Sequence, residues 1–178
     1  MIDAMEYGKA LFLLTEETRK TETVFAELLD LKRLLGENPR YVKLLDTPAL
    51  SKDEKLALID RAFASFDEDL RSVIKILCEK HAVYQIPKVA DVYASLYDEA
   101  RGIERVEAVT AVAMTAAQIA AMTRKLTSLT GKTVQLRNTV DPAVLGGVIL
   151  RYSGRQLDGS LKARLESFEK SLKSLVIE

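Results

Sequence analysis

The sequence is poor in several residue types that carry chemistry in proteins. Its 178 residues include one cysteine, one histidine and no tryptophan. Because Cys78 has no second cysteine to pair with, an internal disulfide is excluded and a reducing compartment is favoured. Because His81 is the single histidine, a metal site built on a pair of histidines is excluded as well. The sequence therefore rules out a secreted disulfide scaffold.

Long apolar runs and an excess of charge of either sign are also missing. No stretch approaches the ~18 consecutive apolar residues of a transmembrane helix, and acidic residues near the N-terminus do not fit a signal peptide. The 26 basic residues balance the 26 acidic residues, whereas non-specific nucleic-acid binding depends on a basic surface. Apolar residues make up 48% of the chain. We expect a soluble globular protein that does not bind nucleic acid.

The balanced total conceals two halves with different chemistry. Residues 1–105 carry a net charge of −4, and residues 106–178 carry a net charge of +4. Val, Ile and Thr favour strands, and they account for 16 of the first 102 residues but 17 of the 56 residues 103–158. We predict a boundary near Gly102, with an N-terminal domain at 1–105 and a C-terminal domain at 106–178.

Helical signals fill the first half. Apolar residues recur there at spacings of three and four, and Ser51 with Glu54 forms a capping box. The expected helices are a first over about 3–19, a second closed by Gly36, a third between Asn38-Pro39 and Pro48, a fourth after Ser51, a fifth after Asp67 and a sixth from about Pro87 to Gly102. These signals predict a bundle of five or six short helices.

The second half mixes extended and helical patterns. Residues 106–113, 132–140 and 148–152 have the alternation or composition of strands, and Ser153-Gly154 predicts the turn of a hairpin. Thr115 and Gln118 form a capping box for a helix with Ile119, Met122, Leu126 and Leu129 on one face. A last helix is expected from Ser160, with Leu161, Leu165, Phe168, Leu172 and Leu175 at heptad-like spacing. The predicted fold class is mainly α, a six-helix bundle followed by a small α+β domain.

A search for reactive motifs finds none that is complete. Gly146-Gly147 lacks the spacing of a phosphate-binding loop, so a close backbone approach explains the pair better. Cys78 and His81 lie three residues apart, which leaves a Cys78-dependent enzyme as a third interpretation, but lone residues of both types are usually structural. We expect no catalytic residue, no cofactor and no metal.

The first and fifth helices carry apolar arcs of about 200°, wider than the ~100° that one core face needs. On the first helix the arc holds Ala4, Met5, Tyr7, Ala10, Leu11, Phe12 and Leu14, and on the fifth it holds Leu70, Val73, Ile74, Ile76, Leu77, Cys78 and His81. Two interpretations stay open. Both helices are central in the bundle, or they share a groove that accepts an amphipathic helix of a partner.

Three motifs are similar to those of a known family. Residues 140–151 read Val-Asp-Pro-Ala-Val-Leu-Gly-Gly-Val-Ile-Leu-Arg, and residues 157–160 read Leu-Asp-Gly-Ser. Residues 7–11, Tyr-Gly-Lys-Ala-Leu, are similar to the family's Tyr-Ala-Lys-Ala-Leu opening, with Gly8 where alanine is usual. On these residues the chain resembles the delta subunit of the F-type ATP synthase, called the oligomycin-sensitivity-conferring protein in mitochondria.

The resemblance implies a non-catalytic stator subunit that links the alpha/beta catalytic head to the b subunits of the peripheral stalk and so couples proton-driven rotation to ATP synthesis. It implies a groove for N-terminal helices of alpha subunits, with the candidates Tyr7, Leu11, Leu14, Ile74, Leu77 and His81. It implies a stalk contact in the region of Asp141, Pro142, Gly146, Gly147, Arg151, Asp158 and Gly159. It further implies the beta subunit as a partner, membrane association only through the complex, and a location on the cytoplasmic face of the bacterial inner membrane.

A helical RNA-binding or antitermination module is the alternative function. Such a module concentrates Lys and Arg in its helical part, whereas the helical half here is net negative. Charge therefore favours the structural subunit.

Overall fold

The chain forms a helical unit followed by a unit that contains a β-sheet. The computed structural model describes residues 3–161 and residue 163. Contacts between residues divide the chain between Tyr97 and Asp98. The first strand begins at Ile103, so the predicted boundary at residue 105 falls inside that strand. The predicted fold class, mainly α with a small α+β part, is confirmed.

Six α-helices make up the described part of the first unit, as the sequence predicted. Their bounds are α1 (Ala4–Glu17), α2 (Thr21–Glu37), α3 (Pro39–Asp46), α4 (Lys52–Ala62), α5 (Glu68–Glu79) and α6 (Ile86–Ala100), with a 3-10 turn at Val83–Gln85 before α6. The capping box at Ser51 is present, because the Ser51 hydroxyl accepts from the Glu54 N–H while the Glu54 carboxylate accepts from the Ser51 N–H.

Helix α2 ends differently from the prediction, which placed its end at Gly36. The helix continues through Gly36 to Glu37, and Asn38 terminates it. Both the backbone N–H and the side-chain amide of Asn38 donate to the carbonyl of Leu34. Because this carbonyl is already satisfied, the helix end needs no left-handed glycine.

Tyr93 lies at the centre of the first unit. It is the largest fully buried side chain of the described chain. Its hydroxyl is 2.6 Å from the Thr15 hydroxyl and donates to the Thr21 carbonyl at 3.1 Å. The ring packs edge-on against Phe12 and stacks with Phe25. One residue of α6 thereby ties together α1 and α2.

Gly8 allows α1 to approach α6 closely. A Cβ built on Gly8 would lie 2.7 Å from Cγ1 of Val92, 2.8 Å from its Cβ and 3.1 Å from the Val89 carbonyl oxygen. Val92 is β-branched and has few alternative rotamers, so it cannot turn aside easily. The glycine in the Tyr-Gly-Lys-Ala-Leu motif therefore allows α1 to pack closely on α6, although glycine has a lower helix propensity than alanine.

We predict that Gly8→Ala destabilises the protein by about 1–3 kcal/mol, because overpacking against Val92 outweighs the gain in helix propensity. Gly36→Ala is the matched control, since nothing lies within 4 Å of a Cβ added there. This control should stabilise the protein by up to about 1 kcal/mol. Urea unfolding followed by circular dichroism measures both changes, and a stabilised Gly8→Ala variant would contradict the packing argument.

The second unit is built on a four-stranded sheet in the order β2-β1-β3-β4. The elements are β1 (Ile103–Thr110), α7 (Ala116–Thr130), β2 (Thr133–Val140), β3 (Val148–Tyr152) and β4 (Arg155–Asp158). Strands β1 and β2 are parallel and connected by α7, whereas β1 with β3 and β3 with β4 are antiparallel. Ser153 and Gly154 both have positive φ, of 44° and 71°, which is the geometry of a type I′ hairpin turn.

Helix α7 packs on one face of this sheet. Val106, Ala108, Val134 and Leu150 form the core there, with Met122 and Leu126 of α7 against them. The capping box of Thr115 and Gln118 is present. Leu129, predicted on the same apolar face, is instead 73% exposed, because it lies in the last turn of α7. Of the predicted last helix, only Ser160, Leu161 and Ala163 are among the described residues.

Candidate functional site

The two helices with wide apolar arcs, α1 and α5, are neighbours in the bundle. The Lys20 ammonium lies just after α1 and forms a 2.9 Å ion pair with Asp67, the N-cap of α5. The end of α1 is therefore next to the start of α5, and the two helices run antiparallel. Burial raises the pKa of Asp67, but hydrogen bonds from Lys20 and from the Asp69 N–H prevail, so the pKa is lowered and the carboxylate stays charged.

Three of the six candidate groove residues point into the bundle. Leu11 is 1% exposed, Ile74 1% and Leu77 0%. At this burial they contribute to the hydrophobic core, where truncation of a leucine to alanine costs about 2–5 kcal/mol. Half of each wide arc therefore belongs to the core, and these three side chains are not available to a partner in this conformation.

The outer half of each arc is exposed. On α1, Tyr7 is half-buried, while Ala10 and Leu14 are exposed, and their spacing of three and four places them on one side of the helix. On α5, Val73 is half-buried and Ile76 is 41% exposed. We call these five residues the α1–α5 surface.

Packing on the opposite sides of α1 and α5 indicates where the two halves of this surface lie. The far side of α1 faces α6, through Gly8 and Phe12. The far side of α5 faces α4, where Asp60 pairs with Arg71 and Lys75. Because α1 packs against α5 and each helix uses its other side for another neighbour, we infer that Tyr7 and Leu14 lie on the side of α1 nearest Val73 and Ile76. Ala10, Val73 and Ile76 were present in the sequence arcs but were not selected as candidates.

His81 terminates α5 and is not part of its face. Its φ is 52°, its N–H donates to the Cys78 carbonyl, and the Ala82 N–H donates to the Leu77 carbonyl. This pair of bonds is a Schellman motif with histidine in the left-handed position that glycine usually takes. The His81 side chain is exposed at the end of α5.

Cys78 does not form a reactive pair with His81. Its thiol is buried and donates a weak hydrogen bond to the Leu45 carbonyl at 3.9 Å. Burial raises the pKa of the Cys78 thiol, which disfavours the nucleophilic thiolate. The thiol is buried, whereas the histidine lies beyond the helix end and is exposed.

The family-like motifs of the second unit hold two segments together, the loop 141–147 before β3 and residues 159–161 after β4. We call this contact the clasp. In the loop before β3, the Asp141 carboxylate accepts from the Ala143 N–H at 2.9 Å. The Leu161 N–H donates to the Gly146 carbonyl, and the Gly159 N–H donates to the Val148 carbonyl. The Asp158 carboxylate accepts from the Ser160 N–H. The structure thus brings Gly146 and Gly147 against Gly159, next to Asp158, whereas Asp141 and Pro142 lie at the start of the loop itself.

We predict that Gly147→Ala opens this clasp. A Cβ at Gly147 would lie 2.4 Å from the Gly159 carbonyl oxygen, and the φ of 84° is unfavourable for alanine. Gly131→Ala is the control for the backbone strain alone, since Gly131 has φ 68° but open space around it. We expect a loss of about 1 kcal/mol for Gly131→Ala and a clearly larger loss for Gly147→Ala, measured by thermal unfolding. Equal losses would show that the close approach is unimportant.

Arg151 lies apart from the clasp, on the sheet face that α7 does not cover. It belongs to a row across the four strands formed by Arg137, Glu107, Arg151 and Gln156. Glu107 accepts from Thr139 at 2.7 Å and from Arg151 at 3.4 Å. The hydrogen bond from Thr139, and after it the guanidinium of Arg151, hold the pKa of Glu107 below its ordinary value. The row presents two arginines around one carboxylate.

The described residues do not assemble a metal site. Within residues 3–161 and 163, no three His, Cys, Asp or Glu side chains are grouped so that they could hold an ion. Over the same part of the chain, no helix combines a length of at least 18 residues with the apolar character that crossing a bilayer requires.

The protein has a helical bundle with an exposed apolar junction, followed by an α+β unit with the row that contains Arg137 and Arg151. This architecture defines a class of linking proteins, in which each of two units offers a binding surface. Comparison with known proteins agrees with this class. A sequence profile of the family described as "ATP synthase delta (OSCP) subunit" matches residues 4–172. The ATP synthase subunit delta of Geobacillus sp. (strain WCH70) is 33% identical over 96% of this chain and 97% of its own length. That of Rhodospirillum rubrum is 30% identical over 97% and 94%.

The chain belongs to the ATP synthase delta (OSCP) subunit family. A solved structure, the mitochondrial ATP synthase hexamer of Toxoplasma gondii, contains a chain of the same fold, with a TM-score of 0.75 at 22% identity over 97% of this chain and 98% of that one. The protein is a non-catalytic, peripheral stator component of the ATP synthase, and its partners are other subunits of that complex. The resemblance inferred from the motifs is confirmed.

Proposed function

We propose that the first unit binds an N-terminal helical segment of an ATP synthase alpha subunit along the α1–α5 surface. One observation carries this proposal: Leu14 and Ile76 remain 41% exposed on adjacent sides of two helices whose inner sides already fill the core. A groove between antiparallel helices accepts the apolar face of a third helix, with anchors at spacings of three and four. His81 and Tyr7 lie toward the same end of this groove.

Apolar burial supplies the affinity at such a surface. At about 25 cal/mol per Å² of apolar area, a few hundred Å² give several kcal/mol before the cost of association is subtracted. The sheltered positions Leu11, Ile74 and Leu77 contribute indirectly, because they hold the two helices at the separation that the partner helix requires.

We predict that Leu14→Asp and Ile76→Asp each weaken binding of a synthetic alpha-subunit N-terminal peptide at least tenfold, because a carboxylate would be desolvated in the interface. Leu13→Asp is the matched control, since Leu13 is 59% exposed but points about 100° away from Leu14 on α1. Isothermal titration calorimetry with the full chain measures the affinities.

Equal weakening by Leu13→Asp would place the peptide elsewhere on α1. The absence of binding heat for the unaltered protein at high micromolar peptide would contradict the proposal itself. Circular dichroism establishes that each variant remains folded, which is expected because all three positions are at the surface.

The second unit, in our proposal, binds the b subunits of the peripheral stalk. The arginine row of Arg137 and Arg151 offers charge-assisted hydrogen bonds to carboxylates, and residues 106–178 are net +4. Leu145, in the loop of the clasp, is 75% exposed and supplies an apolar contact next to Gly146 and Gly147. The clasp gives the stalk a rigid loop to bind.

Binding of a soluble b-subunit fragment to the full chain should weaken as salt rises, because exposed charges are screened beyond a Debye length of about 8 Å at 0.15 M salt. Arg137→Ala and Arg151→Ala should each reduce affinity several-fold and flatten the salt dependence. Arg124→Ala, an exposed arginine on α7, is the control. Salt-independent binding, or an equal effect of Arg124→Ala, would contradict a role for the row.

Together the two contacts hold the catalytic head against rotation. When the rotor turns inside the head, an unrestrained head would turn with it and no rotary energy would reach the nucleotide sites. A link of this kind needs slow dissociation from its partners and no reactive group. In this arrangement the protein also lies next to beta subunits, on the cytoplasmic face of the bacterial inner membrane, and it associates with the membrane only through the complex.

A further inference from the structure

The sheet of the second unit has two edges, and they differ in character. One edge is β4, which has four residues and carries Arg155 and Asp158 at its ends. Short edge strands with charged residues resist pairing with another chain. The other edge is β2, which has eight residues, no proline, one charged residue and an unbroken register with β1. Strand β2 is therefore a long edge that is suited to pairing.

The outer side of β2 presents backbone groups that the described chain does not use. The Thr133 N–H donates to the Gly102 carbonyl and the Asp141 N–H donates to the Thr110 carbonyl, so the odd-numbered residues of β2 direct their backbone groups toward β1. Because this direction alternates along a strand, the even-numbered residues direct theirs away from the sheet. Within residues 3–161 and 163, backbone hydrogen bonds are lacking for Val134, Leu136, Asn138 and Val140.

Side-chain contacts hold β2 in its extended form. The Asn138 side-chain amide donates to the Ala108 carbonyl at 2.8 Å, and its oxygen accepts from the Met114 N–H at 2.8 Å. The Thr139 hydroxyl donates to the Glu107 carboxylate at 2.7 Å. A preformed edge lowers the entropy cost of adding a strand to it.

The side chains beside this edge specify the chemistry of an added strand. On the sheet face opposite α7, Arg137 is exposed and is not paired with any carboxylate of the described chain. Its cross-strand neighbour Glu107 already accepts from Thr139 and Arg151. On the α7 face, Leu136 is half-buried and Val140 is 47% exposed. An added strand thus meets a cation on one face and apolar side chains on the other.

Charge decides between a second copy of this chain and a different partner. The antiparallel register that pairs all four outward-directed residues of β2 with those of a second copy is centred on Arg137. It places the two Arg137 side chains directly opposite each other, and like charges in that position destabilise a sheet. The same guanidinium favours a partner with a carboxylate.

We propose that β2 accepts an extended segment of a partner protein as a fifth strand. The segment alternates acidic residues, which face Arg137, with apolar residues, which face Leu136 and Val140. Backbone hydrogen bonds supply affinity in this mode of binding, and the alternation supplies specificity. The inference goes beyond the stalk contact described above. It shares Arg137 with that contact, but strand pairing is measured without a b subunit, so either proposal can fail while the other stands.

The probe is the peptide acetyl-Val-Glu-Val-Glu-Val-Glu-Val-amide, titrated into the isotope-labelled full chain and followed by NMR. Binding should be saturable and should slow hydrogen exchange of the outward-directed N–H groups of Leu136 and Asn138 at least tenfold. The N–H groups of Gln135 and Arg137, which already face β1, should change far less. Lysine in place of the three glutamates should weaken binding at least tenfold. Absence of binding by the glutamate peptide, or equal binding of the lysine peptide, would overturn the proposal.

Two N-methylated peptides separate backbone pairing from charge. One is methylated at the amides of its internal valines and the other at the amides of its glutamates. In an extended strand only one of these two sets of amides faces β2. One peptide should therefore lose binding while the other keeps it. If both bind as tightly as the parent peptide, the contact is made by side chains alone and the proposal is overturned.

Leu136→Pro and Leu136→Ala form a matched pair of variants. Both lose the leucine side chain, but only proline removes the outward-directed N–H, and proline is tolerated on edge strands. We expect Leu136→Pro to bind the glutamate peptide about fivefold more weakly than Leu136→Ala, as the loss of one hydrogen bond implies. Arg137→Gln should also weaken binding, whereas Arg155→Gln, at an exposed position of β4, should not. Equal affinities of the two Leu136 variants, each shown to be folded by circular dichroism, would contradict strand addition at β2.

Discussion

The hydrogen bond between the hydroxyls of Tyr93 and Thr15 is the constraint on which the candidate binding surface depends. Thr15 is 0% exposed, and its hydroxyl, which also contacts the Phe12 carbonyl, meets the Tyr93 phenol inside the bundle. This buried contact accompanies one rotation of α1 about its axis. With Thr15 inside, Leu11 follows it into the core, and Leu14 is turned outward by the geometry of the helix. Burial of the Tyr93 ring, the main cause of its raised pKa, keeps the phenol protonated and able to donate.

In the second unit, a glycine allows two backbone segments to come close together. Gly147 lets the loop before β3 contact the segment after β4 at a distance that no side chain permits. Close backbone approach therefore accounts for Gly147 in the family-like motif. Arg151, which the same motif contains, has a different role, because the strand register places it beside Glu107 on the sheet face opposite α7. One continuous motif thus supplies both a clasp and part of a charged surface.

Local chemistry made much of the fold predictable. The capping boxes at Ser51 and Thr115, the positive-φ turn at Ser153-Gly154 and the break at Pro39 each act through residues at most four positions apart. Where a prediction about a helix was wrong, the surroundings of the residue explain the difference. Gly36 does not end α2, because the side chain of Asn38 satisfies the helix end instead. Leu129 continues an apolar pattern on α7 but lies where the helix no longer covers the sheet.

The sequence by itself determined the family, the order of helices and strands, and the two helices whose apolar arcs exceed one core face. Helical periodicity identifies such an arc, but it contains no information about the elements that pack against it. Only the tertiary structure decided that Leu11, Ile74 and Leu77 are core while Leu14 and Ile76 stay outside, because that choice depends on where α4 and α6 lie.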